Sequence, residues 1–189
     1  MKIGVLAVQG AFAEHIKMLE SLGATCVELR QKSDIDNSLD GIVLPGGEST
    51  TQGKLLHELD MFEPLKNLIK SGVPTLATCA GLILLAEKLD NDDRTHLALL
   101  PVTVTRNAYG RQLGSFEKNA EIKGVGEYPC VFIRAPYISS ESDECENLCV
   151  IDEHQVGVKY KNILAFAFHP ELTDDTRIHK EFLKLIENN

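Results

Sequence analysis

Residues 74–89 read PTLATCAGLILLAEKL. A proline and small residues lead through a short apolar run into one cysteine, and a leucine-rich helical pattern follows at once. The reading is a strand, VPTLAT at 73–78, that turns at Cys79 into a helix, AGLILLAEKL at 80–89. The turn is built of Ala77, Thr78, Ala80 and Gly81, small enough for a crowded backbone. Such a tight strand-to-helix turn holds a nucleophile out at the edge of a sheet. A helix N-terminus favours a thiolate in general, and the amide of Ala80 can point at a developing oxyanion. On this segment alone, a buried core cysteine fits as well.

Working upstream, the same alternation repeats. KIGVLAV is a first strand, and AFAEHIKMLESLG has helical spacing at Phe12, Ile16, Leu19 and Leu22 that stops at Gly23. TCVEL and DGIVLPGG are further strands. STTQGKLLHEL opens with Ser49 and Gln52 in capping-box spacing. EPLKNLIKSG continues the helical region to Gly72. Strands alternating with helices predict an α/β fold, a mostly parallel central sheet flanked by helices. In such sheets ligands sit beyond the carboxyl ends of the strands. The loops after Val8 and Leu44 and the turn at Cys79 should therefore gather.

Downstream, LPVTVTRN, AEIKGV, CVFIRAP, NLCVIDE, QVGVKYK and ILAFAFHP are strand-like and closely spaced, which predicts antiparallel additions to the sheet. TDDTRIHKEFLKLIENN is a closing helix, with Thr173 as its cap and Asp174 and Asp175 at the positive end of its dipole. No repeat, low-complexity segment or linker interrupts the chain. With 189 residues, 1–189 reads as a single domain.

The net charge of −9 argues against nucleic acid and against an anionic membrane surface as partners. No apolar run reaches the roughly 20 residues of a membrane helix. KIGVLAV reads better as a buried strand than as a signal peptide, so the expectation is a cytoplasmic protein. Five cysteines, an odd count, do not form a disulfide framework. Cys145 and Cys149 lack a second Cys or His pair nearby, so no metal site is expected. Cys26 and Cys130 lie in strand-like runs and read as small sheet or core residues.

A thiol nucleophile needs a base, and the base an orienter. FAFHPEL at 166–172 supplies His169 and Glu171, two apart and on one face of an extended segment, with Pro170 stiffening the chain between them. A turn with solvated charges would look similar. His15, His57, His96, His154 and His179 are expected at the surface. LPGGEST at 44–50 lets the backbone approach a ligand and turn an N–H inward as a second oxyanion donor. It lacks the lysine of a P-loop and the spacing of a dinucleotide fingerprint.

PGGES, TCAGL and HPE, in this order, resemble the class I glutamine amidotransferases. GVLAVQGAFAEH, LPGGESTT, TCAGLILLA, RNAYGRQLGSFE, VFIRAP and FHPELTDD narrow the likeness to the glutaminase subunits of the ribose 5-phosphate-dependent pyridoxal 5′-phosphate synthases, from residue 4 to residue 175. The resemblance implies a flavodoxin-like sheet and a catalytic trio of Cys79, His169 and Glu171. It implies a glutamine pocket of Gly46, Gly47, Glu48, Arg106, Ile133 and Arg134, with the backbone of Gly47 and Ala80 as the oxyanion hole. It implies no metal, no cofactor, and a separate (β/α)₈-barrel synthase subunit as partner. Family members are poorly active until docked, the loops at Gln9, Gly10 and Gly46 settling when the synthase binds. Two residues depart from the usual pattern: Ala77 stands where the class has glycine, and Tyr137 where the family often has histidine. A glutaminase serving another synthase, such as that of the histidine pathway, is one alternative, which RNAYGRQLGSFE and VFIRAP weigh against. A catalytically dead regulatory subunit is another, though it would be expected to lose one of the three catalytic residues. A cysteine hydrolase or redox sensor leaves His169, Glu171 and the glycine loop without a reason.

Overall fold

The computed structural model describes residues 1–90, 92–107 and 114–189. Its elements are β1 (Lys2–Leu6), α1 (Phe12–Ser21), β2 (Thr25–Leu29), β3 (Gly41–Leu44), α2 (Ser49–Glu58), α3 (Phe62–Lys70), β4 (Thr75–Thr78), α4 (Ala80–Leu85) and β5 (Ala86–Leu89). There follow β6 (Leu100–Thr105), β7 (Ser115–Ile122), β8 (Gly126–Ile133), β9 (Tyr137–Glu141), β10 (Glu146–Ile151), β11 (His154–Tyr160), β12 (Ile163–Phe166) and α5 (Arg177–Glu187). Ten strands form one sheet in the order β2-β1-β3-β4-β12-β11-β9-β6-β5, with β10 paired to β11.

The half from β2 to β12 is parallel. Its central strands, IGVL in β1 and GIVL in β3, are nearly unbroken apolar runs, as strands covered on both faces must be. From β1 the chain steps outward to β2, but from β3 it steps the other way to β4. Right-handed crossovers therefore put α1 on one face and α2 with α3 on the other. That reversal makes a crevice at the carboxyl ends of β1 and β3. α5 returns to the face of α1, where Phe182 and Ile186 pack over the bare Cα of Gly41.

The antiparallel additions expected downstream are present as β11, β9 and β6. β7 and β8, however, pair only with each other as a hairpin. The helix expected over 80–89 ends at Leu85, after six residues. The carbonyls of Leu84 and Leu85 accept from the amides of Leu97 and Leu99, which displaces the next helical turn. Ala86–Leu89 then leaves as β5 beside β6. β9, which follows Pro136, carries no strong period and gives no strand signal in the sequence.

Two caps differ as well. Glu48, not Ser49, caps α2: its carboxylate accepts from the amides of Thr50 and Thr51 at 3.1 and 2.7 Å. Gln52 turns away to donate to the carbonyls of Gln9 and Pro45. Thr173 donates to Pro170 O in the preceding turn rather than capping α5. Asp175 does meet that helix, accepting from the amide of Arg177 at 3.0 Å.

Candidate active site

Cys79 sits between β4 and α4 with φ 47° and ψ −101°, a conformation side chains rarely adopt. The surroundings hold it there. Its amide donates to Phe166 O at 2.8 Å, tying the turn to β12. Behind it, a Cβ on Gly81 would stand 2.1 Å from Leu44 O, so α4 seats against β3 only with glycine there. Ala77 lies inside β4, paired to Leu44 and Ala165, and is not among the positive-φ residues, so this backbone does not require glycine at 77. All six residues of α4 are buried, which fixes the turn against the core.

β12 delivers the partner. His169 follows it, anchored by its amide to Val131 O at 2.8 Å, and begins a short 3₁₀ turn, Pro170–Leu172. That turn brings Glu171 back beneath the ring. His169 Nδ1 lies 2.7 Å from Glu171 Oε1, and both side chains are buried. Burial opposes a charge on His169, but the neighbouring Cys79 sulfur and the Glu171 carboxylate outweigh it, pushing the imidazole up to about 10. Glu171 is held well below the usual carboxylate range: burial opposes this, while His15 and then His169 bring it about. Nε2 of His169, the nitrogen opposite Glu171, makes no hydrogen bond of standard geometry. Catalytic contacts are often loose without substrate.

The glycine loop closes the site. The His169 ring rests on the bare Cα of Gly46, where a Cβ would lie 2.3 Å from Cε1. Gly46 N donates to Thr78 Oγ1 and Gly46 O accepts from Ala11 N, each at 3.0 Å. Gln9 joins in, its Oε1 accepting from Glu48 N at 2.8 Å. The loops after β1 and β3 are thus bonded to each other beside the Cys79 turn.

Together these loops line a cleft of about 450 Å³. Cys79, His169, Gly46, Gly47, Glu48, Arg106, Ile133 and Arg134 all border it, joined by Gln9 and Asn107. Ala80 begins α4, and the first N–H of a helix has no partner within it. Arg134 has φ 43° and is exposed, and Ile133 O lies 4.0 Å from Cys79 Sγ. Arg106 reaches Asp92 Oδ2 at 2.8 Å and Glu48 Oε1 at 3.4 Å. Residues 108–113 of the RNAYGRQLGSFE segment lie outside the described residues. Tyr137 stacks on His154 with ring centroids 4.2 Å apart and does not border the cleft.

Other residues here lay outside the sequence-based expectation. His15 and His179, expected at the surface, are fully buried behind Glu171. The signal for them existed: His15 stands three after Phe12 and four before Leu19, and His179 three before Phe182, on the apolar faces of their helices. Asp92, which holds Arg106, is distant in sequence and gives no such signal. The thiols of Cys130 and Cys149 are buried and interact with each other, whereas Cys145 faces Pro101 O, so Cys145 and Cys149 do not converge. Among the described residues no helix is long and apolar enough to cross a membrane.

The chain is similar to known proteins. Residues 5–188 match the SNO glutamine amidotransferase family. Pyridoxal 5′-phosphate synthase subunit PdxT of Desulfitobacterium hafniense (strain DSM 10664 / DCB-2) is 58% identical, over 98% of this chain and 94% of that protein. Its namesake in Bifidobacterium longum (strain NCC 2705) is 55% identical, over 96% and 99%. A solved glutamine amidotransferase structure superposes with a TM-score of 0.92 at 40% identity, covering 98% of both chains. The chain belongs to the SNO glutamine amidotransferase family.

Proposed function

We propose that residues 1–189 act as one glutaminase domain that hydrolyses L-glutamine and supplies the ammonia to the barrel subunit of a pyridoxal 5′-phosphate synthase, for vitamin B6 synthesis. The observation that carries this reading is the single cleft bordered by Cys79, by His169 paired to Glu171, and by the glycine loop.

Cys79 Sγ attacks the side-chain amide carbon of glutamine with its proton held on His169 Nε2. The amide oxygen becomes an oxyanion, received by the N–H groups of Ala80 and Gly47. Gly46 O is turned onto Ala11, so the Gly47 N–H of the same trans peptide faces the opposite way. The C–N bond then breaks. The proton on Nε2 moves to the leaving nitrogen, giving ammonia and a glutamyl thioester. Water attacks the thioester and gives a proton to Nε2, the C–S bond breaks, and that proton stays on Nε2 beside the freed sulfur as glutamate leaves. Glu171 keeps Nδ1 occupied as a donor, so Nε2 is the nitrogen that trades protons. Arg134 and Arg106 suit the α-carboxylate of glutamine and Glu48 its α-ammonium, with Ile133 and Gly46 shaping the cleft.

The test is glutamate release from glutamine, by the protein alone and with a purified synthase barrel subunit, with Cys79→Ala as blank. A large Cys79-dependent rise on adding the synthase is expected. No Cys79-dependent glutamate in either case would overturn the reading.

A further inference from the structure

Polar contacts continue inward beyond Glu171. Its second oxygen, Oε2, is buried and has no hydrogen bond of standard geometry, yet lies 3.3 Å from His15 Nε2. His15 Nε2 also lies 3.1 Å from Thr78 Oγ1, and its Nδ1 is 2.9 Å from His179 Nε2. Neither His15 nor His179 has any exposed surface. Two imidazoles sealed between α1, α5 and β4 are costly, since apolar side chains of that size would pack there without polar groups to satisfy.

The protons can be ordered. His179 is pushed down to about 3, chiefly by burial, so it stays neutral and carries one N–H. Its Nδ1 has no partner. An orphaned buried donor is rarer than an orphaned acceptor, so the proton belongs on Nε2, donated to His15 Nδ1. That leaves His15 Nε2 as the N–H, hydrogen-bonded to Thr78 Oγ1 at 3.1 Å with Glu171 Oε2 beside it at 3.3 Å. Glu171 then has an imidazole beside each oxygen: His169 hydrogen-bonded to Oε1 at 2.7 Å and His15 3.3 Å from Oε2.

We propose that His15, with its tautomer set by His179, is a positioning residue that holds the second oxygen of Glu171 and through it the orientation of His169. The inference rests on the glutaminase reading above. It treats Thr78 as a shared brace, since the hydroxyl that meets His15 also accepts from Gly46 N. The groups that face Glu171 are His169 on its own turn and His15 from α1, with His179 of α5 behind His15.

The experiment compares His15→Gln with His15→Asn in the complex with the synthase subunit, reading kcat, KM and the pH profile of glutamine hydrolysis. Gln reaches the place of Nε2 and keeps a donor to Glu171. Asn reaches only the place of Nδ1. Wild type and Cys79→Ala are run alongside: absence of Cys79-dependent turnover in wild type removes the glutaminase reading itself, separately from this proposal. The expected result is a kcat lower by roughly tenfold or more for Asn, with KM for glutamine little changed. The acid limb of its kcat/KM profile should move to higher pH, because Glu171 takes up a proton sooner, while Gln restores both. Equal losses in the two variants with an unmoved acid limb would overturn the proposal and leave His15 as packing alone. Should a variant not fold, long-range nitrogen–proton NMR on the wild-type protein decides the proton order. Nε2–H on His179 is expected, and Nδ1–H there would contradict it.

Discussion

The His169 ring lies against the bare Cα of Gly46, so closely that a Cβ would stand 2.3 Å from Cε1 and 2.8 Å from Nδ1. The loop after β3 and the base after β12 are therefore fitted to each other. Gly46→Ala should displace the ring that Glu171 orients. A displacement near 1 Å costs about a hundredfold in rate. Steady-state glutamine hydrolysis in the synthase complex should fall by that order, with the far-ultraviolet circular dichroism unchanged. Activity within about threefold of wild type would mean that the ring has room to spare.

Glu171 and His169 share one hydrogen bond but have different tasks in the proposed reaction. Glu171→Gln keeps a group beneath the ring and loses its charge, whereas His169→Asn removes the base. The expected order of kcat is wild type, then Glu171→Gln, then His169→Asn. Equal losses in the two variants would contradict this division.

Arg106 is held at the cleft by Asp92 on one side and Glu48 on the other. Arg106→Ala should raise KM for glutamine more than it lowers kcat, because in the proposed pocket it meets the unreacting end of the substrate. Asp92→Asn should move KM in the same direction by a smaller factor, since it loosens the guanidinium without removing it. An unchanged KM in both would place Arg106 outside the pocket.

Cys79 combines the thiol with a backbone conformation that costs about 1–3 kcal/mol for a side-chain-bearing residue. Neither Cys79→Ala nor Cys79→Gly can attack glutamine, but only glycine relieves the strain. Cys79→Gly should therefore be more stable than Cys79→Ala by about 1 kcal/mol, a shift of roughly 2–4 °C in Tm for a chain of this size. A lower Tm for the glycine variant would mean that the turn is not strained.

The buried histidine behind the site links stability to pH. His179 is pushed down to about 3, so between its ordinary value near 6.5 and that point the unfolded chain binds a proton that the folded chain refuses. Stability thus rises with pH across this window and is lost as pH falls, with a slope of up to about 1.4 kcal/mol per pH unit. His96, lowered by burial and by Arg106, acts in the same direction. His169 works oppositely: its contribution is complete below about 6.5 and lost as pH rises through about 10. Urea unfolding at pH 6.5 and pH 5 should show a shallower loss for His179→Gln than for wild type. Equal slopes would remove His179 as the cause.

Much of this was legible in the sequence because the signals were local. Unbroken apolar runs marked β1 and β3, and small residues flanked the Cys79 turn. His169 and Glu171 stand two apart, so one extended segment fixes their relation. What the sequence concealed depends on contacts between distant segments. The helix after Cys79 ends early because amides from 97–99 capture its carbonyls. Asp92 reaches Arg106 only once β5 and β6 lie side by side. A histidine on an apolar helix face weighs as polar until its partners are seen, which is why His15 and His179 read as surface residues in the sequence.

The central claim is that Cys79 carries the glutamyl group. The direct measurement is acid quenching of the synthase complex during turnover of glutamine, followed by mass spectrometry of the cysteine-containing peptides. The account predicts a glutamyl adduct on Cys79, none on Cys26, Cys130, Cys145 or Cys149, and none in Cys79→Ala. Full glutamate production with an unmodified Cys79, or continued by Cys79→Ala, would contradict it.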